Sequence, residues 1–353
     1  WNGSVFADPT VSVLSSTPLT SSFIVGTDDI IGPFDINVDD TDYILYTFKY
    51  NADYTSDSQT SYELTFSKET VCDILVVGGG GGGGGGSGYG AGGGGGAGGY
   101  TYNSNQQFSG NYTIKVGKGG NGILYNATTI SVENDGKDSG IYTNTTELLY
   151  LVKGGGSGGR QRTKGNDGGC GGGGGSGNAN SAGGSGISIT NGDYNNSIGF
   201  NGGVGNDYYK GGGGGGCGGL GDNGTGTAYN TGVPGNGGIP VVIDITGGKK
   251  AYGGGGGGGS WVVTASIGGQ IDIDGTMVKV GGDGGFSDTV GSGIANTGSG
   301  GGGARHNPQN SAHDAGNGGS GIVIIRYKKE INIPPTASAT SAGGLVLTNP
   351  LSN

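Results

Sequence analysis

The chain has 353 residues, 94 of them glycine, and a formal net charge of −10. Val, Ile, Leu and Phe make up roughly a fifth of it, near the level where disorder sets in, yet the charge per residue is too low for the disordered class. What remains is an ordered fold with a thin core and extensive backbone hydrogen bonding, without the basic footprint of a nucleic-acid binder, an apolar run of membrane-spanning length or any helical periodicity.

Residues 1–75 hold twelve acids against two bases, Lys49 and Lys68, which accounts for the whole net charge. Residues 1–42 therefore read as an extended acidic arm, polar and punctuated by Pro and Asp, with short alternating pieces such as Val11-Ser12-Val13. Two half-buried strands are predicted next, Tyr43–Tyr50 and Tyr62–Phe66. From Cys72 onward an apolar strand runs repeatedly into glycine: Asp73–Val77, Tyr112–Val116, Leu148–Val152, Val241–Thr246, Met277–Val280 and finally Ile322–Tyr327. These strands are rich in Val, Ile and Tyr, as strands should be. The body, residues 43–330, is predicted to be an all-β sandwich or jelly-roll-like scaffold. The C-terminal tail, residues 331–353, leaves through Pro334-Pro335 and has one strand-like piece, Leu345-Val346-Leu347.

Nine consecutive glycines, Gly78–Gly86, follow the first body strand, and further runs occur at Gly211–Gly216 and Gly253–Gly259. Glycine within a sheet or helix costs about 0.5–1 kcal/mol relative to alanine. A polyproline-II-like helix is the competitive choice: it rises about 3.1 Å per residue, has three residues per turn, and points every N–H and C=O outward. Such helices can satisfy one another side by side, as buried backbone requires. The runs are interrupted by the smallest side chains, Ser87, Ala91, Ala97, Ser176 and Ser260, which a tight polyglycine-II packing tolerates.

Three segments carry a family resemblance. They are Cys72-Asp-Ile-Leu-Val-Val-Gly-Gly continuing to Gly-Gly-Ala97-Gly-Gly-Tyr100, then Asn111-Tyr-Thr-Ile-Lys-Val-Gly-Lys-Gly-Gly, and Gly319-Ser-Gly-Ile-Val-Ile-Ile-Arg-Tyr327. Over about residues 72–327 the chain resembles the glycine-rich domains of fibre and adhesin proteins of bacteriophages and large algal viruses, and of related extracellular proteins of aquatic microbes. The resemblance implies a surface or appendage role and packed polyglycine helices, and it supplies no catalytic residues.

The cysteines are Cys72, Cys170 and Cys217. An odd count in an extracellular chain implies one pair and a leftover, or an intermolecular bridge. Cys170 and Cys217 share the setting Gly-Gly-Cys-Gly-Gly and are the disulfide candidates, while Cys72 reads as a small core residue. The start at Trp1 fits a removed leader or a truncated chain. Six N-glycosylation sequons, at Asn2, Asn111, Asn126, Asn144, Asn195 and Asn223, are expected to carry sugar in part if the chain is eukaryotic and secreted.

No catalytic, cofactor or metal residues are assigned. Gly78–Gly86 satisfies a dinucleotide GxGxxG pattern only because nine glycines must, and another glycine tract stands where a helix is needed. His306, His313 and Asp314 read as a solvated loop. Asp39-Asp40-Asp42 and the pair Asp135/Asp138 read as turn acids, with calcium as the less favoured alternative because the DxDxDG spacing is absent. Arg160, Arg162 and Lys164 form the densest basic patch, which would be either solvated or the receiver of a neighbour's acidic arm. Tyr89, Tyr100, Tyr208, Tyr209, Tyr252 and Trp261 would cap the glycine segments or form a sugar platform. The expected function is a structural protomer of an extracellular or virion-surface fibre, partnered by identical subunits through its terminal segments. The alternative is an adhesin that binds surface glycans. Ice binding is disfavoured by the lack of a Thr array, and an enzyme is the least expected class.

Overall fold

The computed structural model describes residues 11–15, 30–52, 58–86, 90–124, 127, 129–143, 148–177, 180–190, 196–228, 230–261, 264–285, 290–307, 311–312, 314–329, 336–339 and 345–348. Among them there is no helix. The strands in chain order are β1 (Val11–Ser15), β2 (Ile30–Val38), β3 (Thr41–Lys49), β4 (Gln59–Val77), β5 (Tyr100–Gly117), β6 (Ser139–Thr143) and β7 (Leu148–Val152). Short pieces follow: β8 (Ile189–Thr190) with β9 (Asn196–Ser197), β10 (Val241–Ile243) with β11 (Lys250–Tyr252), and β12 (Gln270–Ile273) with β13 (Thr276–Lys279). Then come β14 (His306–Asn307) with β15 (Ser311–Ala312), the long β16 (Ile322–Lys328), and β17 (Thr336–Ala339) with β18 (Leu345–Thr348).

One antiparallel sheet runs in the order β2-β3-β16-β4-β5-β6-β7, with β1 added along the outer edge of the first half of β4. The register between β4 and β5 shifts between Phe66 and Thr70 and again between Cys72 and Ile74, and bulges of this kind bend a strand. Both halves of β4 send their even-numbered residues into one core: Tyr62, Leu64 and Phe66, then Cys72, Ile74 and Val76. Phe48 of β3 meets Tyr62 at 5.4 Å although β3 and β4 are not sheet neighbours. The sheet is therefore folded over along β4 and β5 into two leaves, with this cluster between them. Phe108 packs edge-on to Tyr112 at 4.9 Å and helps fill the fold.

The leaves differ in their outer faces. The first half of β4 alternates between buried and half-buried positions, the signature of one covered face. Ile74–Val77, Ile44–Phe48 and Ile322–Tyr327 are buried without interruption. The second cover is the β10–β11 hairpin, whose Ile243, Ile245 and Tyr252 pack on Leu45, Leu75, Val77, Ile322 and Ile324.

At one end both leaves run directly into glycine. Val77 precedes Gly78, Tyr100 follows Gly99, and Ile322 follows Gly321. There Gly78 N donates to Gly99 O and Gly321 N to Gly117 O, both at 2.9 Å. The all-β reading agrees with the structure. The two strands read separately as Tyr62–Phe66 and Asp73–Val77 are one 19-residue strand, because the polar stretch Ser67–Thr70 between them is the bend and not a loop. Ile30–Val38, read as part of the arm, pairs with β3 in the main sheet.

Candidate functional site

The part of the molecule with the most distinctive geometry is the glycine body beyond the sheet. Along Gly78–Gly84 each successive N–H points to a different neighbour and returns to the first after three residues. Gly78, Gly81 and Gly84 donate to Gly99, Gly96 and Gly93; Gly79 and Gly82 to Lys137 and Asn134; Gly80 and Gly83 to Gly319 and Gly316. The carbonyls follow the same rule. Gly79 and Gly82 accept from Gly155 and Gly158, Gly80 and Gly83 from Gly120 and Ile123, and Gly81 and Gly84 from Gly301 and Ala304. One extended rod thus touches six others, three running antiparallel that accept its N–H groups and three running parallel that fill its carbonyls.

This packing explains the composition. A Cβ placed on Gly83 would fall onto the carbonyl oxygen of Gly302, and one on Gly95 onto that of Gly81. In both cases the obstacle is hydrogen-bonded backbone rather than a side chain that could turn away. The interruptions Ala91, Ala97, Ser176 and Ser260 are each fully buried. Ser176 also works as a polar group: its hydroxyl accepts from Ala91 N at 2.9 Å and donates to Ala91 O at 3.1 Å. Ser87 lies outside the described residues.

At the outer rows, where no further rod is available, Asp and Asn side chains take its place. Asp135 accepts from Ser157 N at 2.8 Å and Asp138 from Gly154 N at 2.9 Å. Asn201 accepts from Gly186 N, Asn236 from Ile267 N, Asp283 from Gly268 N and Asn317 from Gly122 N, at 2.7–2.9 Å. Most of these residues stand directly before glycine (Asp135-Gly136, Asn201-Gly202, Asn236-Gly237, Asp283-Gly284, Asn317-Gly318). That recurring Asx-Gly step is the signal these rows leave in the sequence. It also gives Asp135 and Asp138 their role. Asp138 holds Lys153 at 2.8 Å besides, so both carboxylates are engaged with this chain's own donors. Asp39 and Asp40 form the two-residue β2–β3 turn with φ of 48° and 59°, the left-handed pair that a tight hairpin requires.

Cys170 and Cys217 come together with Ala97 in a small buried cluster within the glycine body. All three cysteines are free thiols in this structure, so the anticipated pair is adjacent but not bonded. Cys217 Sγ donates to Gly98 O at 3.0 Å. Its hydrogen bond with Cys170, together with burial, raises its pKa well above the usual thiol value. Burial, helped by the adjacent Asp73 carboxylate, pushes Cys72 up to about 12.

The other sequence candidates separate. Arg160 and Lys164 lie on either side of a turn that contains Arg162, and Lys164 pairs with Asp167 at 2.9 Å. The Ser185 N–H and then Lys164 hold Asp167 below the usual carboxylate range. Tyr252 is buried, which raises its hydroxyl to about 12, and Tyr100 packs beside the cysteine cluster. Neither can form an exposed platform. Tyr209 and Trp261 do meet edge to face at 5.5 Å, with Tyr208 exposed beside them, and Tyr89 is outside the described residues. Lys210, next in the chain to Tyr209, is fully buried and donates to Tyr208 O at 2.8 Å; burial pulls its pKa down. His306 lies in β14, and His313 is outside the described residues. Of the sequons, Asn111 and Asn223 are exposed, while Asn2, Asn126, Asn144 and Asn195 fall outside the described residues. No group of metal-binding side chains occurs among the described residues, and no helix of the structure is long and apolar enough to cross a membrane.

One feature joins the motifs that carried the resemblance. Asp73 and Arg326 are register partners on β4 and β16, and Arg326 Nε donates to Asp73 Oδ2 at 2.9 Å. The guanidinium also reaches the carbonyls of Asp244 and Ile245 at 3.4 and 3.2 Å and lies 4.7 Å from the Tyr43 ring. It fastens the β10–β11 cover to the sheet.

Comparison with curated proteins and with solved structures finds no match to this chain. Residues 55–328, which hold β4 through β16 and the whole glycine body, match the glycine-rich domain family, and the chain belongs to that family.

Proposed function

We propose that the chain is a structural protomer of an extracellular or virion-surface fibre whose rigid body is polyglycine-II packing and whose subunits are linked through the terminal segments. The observation that carries the reading is the three-residue hydrogen-bond repeat with six neighbours along Gly78–Gly84. Three residues per turn is the repeat of the polyproline-II helix. A body built this way is stiff because every rod is locked to several others by backbone. Its interior is hydrogen-bonded backbone. Segments suited to linkage lie on either side of the family domain: β1 before it, the β17–β18 hairpin after it. Negative-stain electron microscopy of the native material tests this directly. Regular fibres with an axial repeat are expected, and dispersed compact particles would remove the fibre reading.

In an oxidising compartment the adjacent thiols of Cys170 and Cys217 lose two hydrogens to a disulfide oxidant and become bonded. Such a bond constrains the unfolded chain by about 3–5 kcal/mol for a loop of this size. Alkylation counts the outcome. The native protein at pH 8 is expected to take no label, because all three sulfurs are buried and burial raises the Cys72 thiol to about 12. In denaturant without reductant only Cys72 is expected to react, and after reduction all three. Three labels without reductant would show that the pair remains as thiols.

The Tyr209–Trp261 ring pair with exposed Tyr208 supports a second reading, an adhesin surface for sugars, since aromatic faces suit sugar rings. Trp261→Ala would then lose glycan-array binding while fibres persist.

A further inference from the structure

The family domain starts at residue 55, so β1, β2 and β3 are supplied from outside it. Two strand edges of the domain receive them. β16 takes β3, from Ile322↔Lys49 to Lys328↔Tyr43. The first half of β4 takes β1, from Val11↔Phe66 to Ser15↔Tyr62. Without residues 1–54 both edges would present rows of unpaired N–H and C=O groups, ready templates for an added strand.

The two donors are tethered differently. β3 is bound to its own chain: residues 50–58 alone separate it from β4, Asn51 N donates to Thr60 Oγ1 at 2.8 Å, and the Tyr62 hydroxyl donates to the Lys49 carbonyl. Phe48 and Tyr62 then lock the crossing inside the core. β1 is joined to β2 through residues 16–29, a stretch that when extended reaches about 46 Å, several times the roughly 10 Å between packed sheets. The same ladder can therefore close within one chain or between two.

We infer that β1 is an exchangeable donor strand, and that in the assembled form the Tyr62–Phe66 edge of each subunit holds β1 of a second copy of this chain. The inference rests on the fibre reading and names its joint. Strand exchange keeps every ladder hydrogen bond of the closed form, so its cost is low, and a head-to-tail contact of this kind extends without closing into an open filament.

Register partners allow a direct test. Cross-strand partners have Cβ atoms about 4.5–5.5 Å apart, so full-length Ser12→Cys and Thr65→Cys proteins are mixed, assembled and treated with a mild thiol oxidant. The mixture is expected to give a reducible dimer on a denaturing gel, and the double variant a ladder of covalent multimers. No dimer from the mixture, with an internally bonded monomer from the double variant, would overturn the exchange. Electron microscopy of the same samples separates the two claims. Fibres with only internal cross-links defeat the joint alone, whereas the absence of fibres from the unsubstituted protein defeats the fibre reading itself. Leu14→Pro provides a second check that leaves the body untouched, because Leu14 is the register partner of Glu63, whose backbone faces β1, and proline there removes a ladder donor from β1. It is expected to abolish fibres with the melting temperature of the body unchanged, and fibres of normal length would again overturn the proposal.

Discussion

Gly83→Ala is expected to prevent the body from folding, or to lower its melting temperature by at least about 5 °C, which for a chain of this size corresponds to roughly 4 kcal/mol. Overpacking a side-chain core costs about 1–3 kcal/mol because neighbours turn or shift. At Gly83 the obstacle is the Gly302 carbonyl, itself backbone of a parallel rod. Moving that rod strains its own bonds, while moving Gly83 breaks the bonds from Gly83 N to Gly316 O and from Ile123 N to Gly83 O. Each lost buried bond leaves groups unsatisfied at about 1–3 kcal/mol. The control is Gly248→Ala, where an added Cβ meets nothing within 4 Å and φ is not left-handed; it should stay within about 0.5 kcal/mol of the parent. Gly110→Ala lies between, since its space is open but its φ is +81°, a conformation costing alanine about 1–2 kcal/mol. Thermal melts by circular dichroism rank the three. Equal melting temperatures for Gly83→Ala and Gly248→Ala would rule out the close packing of rods.

The fate of the glycines was legible in the sequence because the argument is subtractive: with sheet and helix both unfavourable for long glycine runs, side-by-side rods remain. The partners were not legible. Nothing in a run of identical residues says which glycine meets which rod, and the pairing of Gly80 with Gly319 joins positions far apart in the chain. The Asx-Gly steps were readable in principle but look like ordinary turns. Their role appears only when the neighbouring N–H is in place, as for Asn317 and Gly122. In the sheet, Asp73–Val77 and Ile322–Tyr327 were recognised from their apolar runs. β6, with its mixture Ser-Gly-Ile-Tyr-Thr, carries no such pattern and takes its strand character from Tyr112–Lys115 beside it. The aromatic candidates divide for a related reason. Tyr252 and Trp261 are alike as residues in a glycine-rich setting, and only the fold decides that one is buried on the inner side of the β10–β11 cover and the other stands in a ring pair.

Arg326→Ala should be the most damaging single change in the sheet, at about 3–5 kcal/mol, because it leaves a carboxylate in a buried site without its cation. The Asp73 and Arg326 side chains are only 14 % and 8 % exposed, and once Arg326 is gone the Asn105 N–H at 3.0 Å is the hydrogen bond that Asp73 keeps. Asp73→Ala should cost less, since the guanidinium keeps the carbonyls of Asp244 and Ile245 and the Tyr43 ring. Arg326→Lys should fall between the two, because a single ammonium cannot reproduce a planar fork that serves a carboxylate and two carbonyls together. Replacing both partners, as Asp73→Val with Arg326→Met, should recover most of the loss, since a buried pair repays its own desolvation poorly against apolar packing. The contrasting pair is Lys164–Asp167, with side chains 52 % and 47 % exposed, where Lys164→Ala should change stability by less than about 1 kcal/mol. Denaturant melts in low and high salt distinguish the two cases: screening acts on the exposed pair and barely reaches the buried one. A salt-sensitive Arg326→Ala effect, or one no larger than that of Lys164→Ala, would mean that the β10–β11 cover is held by its apolar face alone. The two motifs would then owe their pairing to strand register, with Asp73 and Arg326 as passengers.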